Sequence, residues 1–199
     1  MSHDNIRLRA RASFRKKQKR WGINGVSEFE ESWQQVLSEA KRRAEQHGRG
    51  EVVDFLQLRA ANDALRAAGI EWLITIFQRL ADEAAHAGRA LTIEREETHR
   101  FSVGAATMIG TVFRLRRGVR QLTIEAGWPR APQHGFVRGN GLARARIKHF
   151  GDVAAGAELI LSRAENNIPP QWFLLQQTGE RAAFSEAHAR QHVEQFLEG

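Results

Sequence analysis

The hydrophobic pattern of this chain changes its period near residue 90. Over residues 27–88, apolar side chains recur every three or four residues; from Leu91 to about residue 176 they alternate. A run of helices followed by a run of strands predicts an α+β fold, with N-terminal helices packed on one face of a mostly antiparallel sheet and a helix to close the chain. The expected division is a basic arm over residues 1–21 and one domain over 22–199, helical over 27–88, β-rich over 90–177 and helical again over 185–198. A chain of 199 residues can bury one full core, and it carries no internal repeat or Gly/Ser linker that would mark a second.

Ser27 and Glu30 form a capping box, and Phe29, Trp33, Val36, Leu37, Ala40 and Ala44 follow at helical spacing until Gly48. Residues 51–68 and 70–87 read as a second and a third helix, with Gly69 either a break between them or a costly interior residue. Ile70, Leu73, Ile74, Phe77, Leu80, Ala81 and Ala84 give the third a core stripe that Trp72 and Ile76 widen, so it is expected to be buried on two sides.

Among the strands, Arg117-Gly118 predicts a tight turn that places Phe113 opposite Leu122, Thr111 opposite Ile124 and Ile109 opposite Ala126. Arg114 and Arg116 then share the opposite face with Gln121, Thr123 and Glu125. The prolines of 128–135 mark a loop, and Asn140-Gly141 marks a turn into 142–150, where Ala143, Ala145 and Ile147 alternate with Arg144, Arg146 and Lys148. Further strands are expected at 157–162 and 171–176, and a helix from Ser185 that packs Ala189, Val193, Phe196 and Leu197.

Charge is segregated along the chain. Residues 1–21 set eight basic side chains against Asp4 alone, and residues 100–149 set ten against Glu125 alone, so the rest of the chain is acidic although the total is only +7. With a Debye length of about 8 Å in physiological salt, a polyanion would feel each basic stretch locally. The alternative is that the acidic helices neutralise the basic sheet within the molecule or across a homo-oligomer. Residues 6–14 also alternate, with Arg7, Arg9 and Arg11 opposite an apolar side, as a strand or extended arm would.

Absences exclude more chemistry than any motif names. There is no cysteine and no tyrosine, which removes disulfides, thiolate metal sites, a Cys nucleophile and phenolic acid–base work. Gly139-Asn140-Gly141 lacks the context of a dinucleotide loop, and there is no Walker loop or nucleophile elbow. His188 and His192 are four apart on the last helix without an evident third ligand, and their face borders solvent, so no metal or other cofactor is expected. Glu125, alone among ten cations, reads first as their counter-ion and second as a general base. Glu94, Glu96 and Glu97 form an acidic strand end with no evident partner, and Asp152 and Glu158 are spaced loosely like nuclease carboxylates, but no Glu-x-Lys follows and no nuclease is claimed. No apolar run is long enough to span a membrane, and residues 1–21 lack the apolar core of a secretory signal while an organellar transit peptide stays open, so a cytoplasmic location is the default expectation.

The reading that follows is a non-catalytic nucleic-acid-associated binding protein. It would grip phosphates through Arg114, Arg116, Arg144, Arg146 and Lys148 on the sheet and through Arg15, Lys16, Lys17, Lys19 and Arg20 of the arm, with Trp128, Phe136 and Phe150 near enough to stack bases. The alternatives are an adaptor or complex subunit whose basic face meets an acidic protein partner, and an enzyme that gathers Glu125 and a histidine in a pocket.

Overall fold

The computed structural model describes residues 24–163, 169–176 and 178–198. The predicted arm, with its alternating segment and Arg15, Lys16, Lys17, Lys19 and Arg20, lies outside them. Two helices come first, α1 (Asn24–Gln46) and α2 (Gly50–His86). Seven strands follow: β1 (Thr92–Val103), β2 (Ala106–Arg117), β3 (Arg120–Trp128), β4 (Ala143–His149), β5 (Asp152–Ser162), β6 (Gln171–Leu175) and β7 (Arg181–Ala183). A third helix, α3 (Glu186–Glu198), ends the described chain. Each strand pairs antiparallel with the next, so the sheet is a simple meander and the fold is α+β.

Alternation places the core on one side of this sheet. Phe113 and Leu115 on β2, Leu122 and Ile124 on β3, Ala145 and Ile147 on β4, Leu159 and Leu161 on β5 and Trp172 on β6 point the same way, and all are buried. The second half of α2 covers them with Ile70, Leu73, Ile74 and Phe77, and α3 adds Ala189, Val193 and Phe196. Complete burial of a side chain of this size contributes roughly 2 kcal/mol, so this one layer carries the fold.

Three local expectations change. The second and third helices are one helix of 37 residues that runs through Gly69. A Cβ there would come within 2.6 Å of Leu161, and the Gly69 carbonyl accepts a hydrogen bond from the Trp172 indole at 2.8 Å. The glycine is therefore a notch that lets α2 lie close on β5 and β6, and close packing outweighs its poor helix propensity. The β2–β3 turn is built on Gly118 and Val119, with Gly118 at φ +59°, so Phe113 pairs with Ile124 and Leu115 with Leu122. That register differs by two residues from the predicted one, and because a shift of two preserves the pleat, every side chain keeps its expected face. Asn24, the first described residue, is already helical, which puts Ser27 inside α1.

β5 is longer than the predicted strand, and its added length shapes the surface. Ile147 pairs with Ala157 and His149 with Asp152, so residues 153–156 stand opposite Lys148 alone and bulge from the sheet. The Asp152 carboxylate accepts a hydrogen bond from the Ala155 amide at 3.1 Å and ties the bulge down. β7, which has only three residues and pairs with β6, carries too few residues to show a period.

Candidate nucleic-acid interface

The face of the sheet turned away from the helices gathers all five predicted sheet cations. Arg114 and Arg116 project from β2; Arg144, Arg146 and Lys148 project from β4, where they occupy alternate positions and share one side. Strand pairing also delivers acids to them. Glu96 of β1 meets Arg114 at 3.3 Å and Glu94 meets Arg116 at 3.3 Å. Glu158 of β5 meets Arg144 at 2.7 Å and Arg146 at 3.4 Å, and Glu125 of β3 meets Lys148 at 2.6 Å. The predicted neutralisation thus occurs within the sheet, and the helices supply none of these four carboxylates.

Glu94, Glu96 and Glu97, which had no evident partner in the sequence, all have one. Glu97 receives hydrogen bonds from Arg95 and from the Thr111 hydroxyl, each at 2.6 Å. The signal for the other two was present: Glu94 and Glu96 are spaced by two, like Arg114 and Arg116, as two facing strands require. What the sequence lacked was the pairing of β1 with β2 in that register.

The match is uneven across the face. On β2 each arginine has its own glutamate. On β4 a single half-exposed carboxylate, Glu158, divides itself between two guanidiniums, which leaves donors of both without a strong acceptor. Glu125 is buried, with Lys148 on one side and His99 at 3.1 Å on the other. Burial pushes the Glu125 carboxyl up, but the hydrogen bonds from Lys148 and His99 outweigh it and hold the group below the ordinary carboxylate range. It stays charged as a counter-ion, and the clefts that flank β4 are lined by neither Glu125 nor His99.

The three aromatic candidates separate. Trp128 is 3% exposed and belongs to the core, with the Arg130 guanidinium 3.5 Å from its ring centre. Phe136 and Phe150 are 72% and 75% exposed, an unusual state for phenylalanine. They flank β4 at opposite ends. Phe136, in the loop before the strand, shares a cleft of about 290 Å³ with Arg138 and Arg144. Phe150, directly after the strand, shares one of about 530 Å³ with Arg146 and Lys148. The wall of that second cleft is the β5 bulge, which holds Val153 almost wholly in solvent at 95% exposure.

The two histidines of the last helix part company. His188 turns back to the Ser185 hydroxyl at 2.9 Å and accepts the Ser185 amide, which secures the start of α3. His192, expected at solvent, is partly buried and lies 3.0 Å from His149 of β4. Its position on α3 faces the sheet, which the helical spacing of four could not reveal. Among the described residues no three histidine or carboxylate side chains converge as a metal site, and no helix is long and apolar enough to cross a membrane. No protein-family model, curated protein or solved structure matches this chain.

Proposed function

We propose that this chain binds single-stranded nucleic acid along β4. The observation that carries the reading is the row Phe136, Arg144, Arg146, Lys148, Phe150: three cations on one side of a strand with an exposed phenylalanine beside each end. Single-strand binders need this pair of features, a positive track for the backbone and aromatic faces for the bases, because every base presents a π-face whatever its sequence. Leaving two phenyl rings in water contributes nothing to this fold, and a stacked base would remove that apolar surface from solvent.

The glutamates weigh against the proposal and set its magnitude. An exposed ion pair is worth about 0–1 kcal/mol, so a phosphate can displace Glu158 from the more exposed Arg146 at little cost, and from the mostly buried Arg144 at a higher one. Arg114 and Arg116, each with its own partner, contribute less, and the working surface narrows to β4. The arm residues Arg15, Lys16, Lys17, Lys19 and Arg20 enter as a second clamp on the strength of their charge alone. Binding should therefore be weak, and its salt dependence shallow.

Titration of a labelled single strand at stepped salt tests this. Three phosphate contacts on β4 correspond to a slope of log affinity against log salt of about −2 for a single strand. Arg144→Glu with Arg146→Glu should flatten it, and Glu158→Gln, which releases both arginines, should tighten binding several-fold. A slope indifferent to all three substitutions would remove the sheet from the interface. The second reading, an adaptor meeting a protein partner, is favoured by Val52, Phe55 and Leu58, which stand exposed on the first half of α2. It predicts tight binding to one protein and no response to oligonucleotides.

A further inference from the structure

We infer that the cleft between Phe150 and the β5 bulge takes one unstacked nucleobase from the bound strand. The inference rests on the single-strand reading and adds to it a two-walled cleft where that reading needs only an open aromatic face.

The cleft is built, not incidental. Four residues bulge where a regular strand would set one against Lys148, and Gly151, at φ +83°, starts the excursion in a conformation that L side chains rarely adopt. The Asp152–Ala155 hydrogen bond holds the far side of that turn. The result is a cavity of about 530 Å³, within the range of small-ligand sites and roomy enough for a base with its sugar.

Its lining has two characters. Phe150 and Val153 form an apolar rim that lies almost bare to water, while Thr123, Lys148 and Arg146 line it from the sheet. A flat ring between Phe150 and Val153 covers both apolar side chains, and the phosphate next to it lies over Lys148, whose ammonium spends one of its three donors on Glu125 and keeps two. One acid at the cleft helps to select among flat anionic ligands. Asp152 lines it and can accept a hydrogen bond from the amino group of adenine, cytosine or guanine, a donor that a phenyl ring lacks. A nucleobase carrying a phosphodiester meets every one of these features, and an aromatic side chain from an acidic segment does not.

The test scans 2-aminopurine through each position of a six-nucleotide strand and measures quenching by acrylamide with the protein bound. One position should be shielded several-fold more than its neighbours, and an otherwise identical strand made abasic at that position should bind about tenfold more weakly. Val153→Asp, at a side chain too exposed to affect folding, should abolish the shielding and bring the two strands to the same affinity. Equal accessibility of all six bases in a strand that still binds would overturn the cleft and leave the single-strand reading standing. If no six-nucleotide strand binds at low salt, both fall together.

Discussion

At the scale of single residues, His149 and His192 form the most condition-sensitive contact in the fold. Two imidazoles 3.0 Å apart share one hydrogen bond only while at least one is neutral, and they join β4 to α3. Burial, with the nearby positive potential of His149 and His188 added, pushes His192 down to about 4; burial also lowers His149, against the opposing pull of Asp152. Both rings therefore bind fewer protons in the folded chain than in the unfolded one at pH 4–6.5, and stability falls as pH drops through about 6.5 toward 4. Discounted for a ring that water still reaches, the loss should be about 1–2 kcal/mol between pH 7 and pH 5, read from urea unfolding at each pH. His192→Asn should remove most of that dependence; an unaltered pH profile in this variant would place the titration elsewhere. The spacing of His188 and His192 was plain in the sequence, but a period of 3.6 says only that two residues share a helix face. It does not say that one would meet a strand 43 positions earlier.

At the scale of elements, the faces of the sheet were legible and its contacts were not. Alternation assigned Phe113, Ile124, Ala145 and Ile147 to the core and Arg114, Arg144 and Lys148 to the other side, because the pleat fixes side without reference to neighbours. The neighbours depended on the turn, where Gly118 took the first loop position and moved the register by two. Gly110 and Gly127 show what that register controls. They face each other across β2 and β3, and a Cβ on Gly110 would collide with the Ala126 carbonyl, while one on Gly127 would stand 2.8 Å from the Ile109 backbone. Backbone cannot yield as a side-chain tip can, so Gly110→Ala should destabilise the protein by about 2–3 kcal/mol in denaturant unfolding, with the loss of the His99–Glu125 contact visible as a shift of the imidazole resonances. A cost below about 0.5 kcal/mol would mean that the two strands are not pinched there. Gly69 reads as the same kind of feature between a helix and a sheet: the sequence left it a break or a costly interior residue, it is the latter, and its reason lies in Leu161 and Trp172.

At the scale of the whole molecule, the proposed function divides its electrostatic work between residues 1–21 and the sheet. The formal charge of +7 equals the charge of residues 1–21, so the rest of the chain is neutral overall. Long-range attraction of a polyanion should then come from those residues and short-range holding from β4. Deleting residues 1–21 should slow association with a single strand at low salt roughly tenfold in stopped-flow, and the shielded base should remain shielded. An unchanged rate would show that the sheet attracts the strand unaided. The sequence alone determined the class of fold, the side of the sheet on which each residue stands and the segments that hold positive charge, since all three follow from local periodicity and composition. Only the tertiary structure decided how much of that charge is left to act. Residues 100–149 look nearly free of acid, yet β1 and β5 lie beside β2 and β4 and bring Glu94, Glu96 and Glu158 to within ion-pair distance of arginines up to 22 positions away. Electrostatic interaction falls with separation in space, and strand pairing, which sets that separation, is not written in the order of the residues.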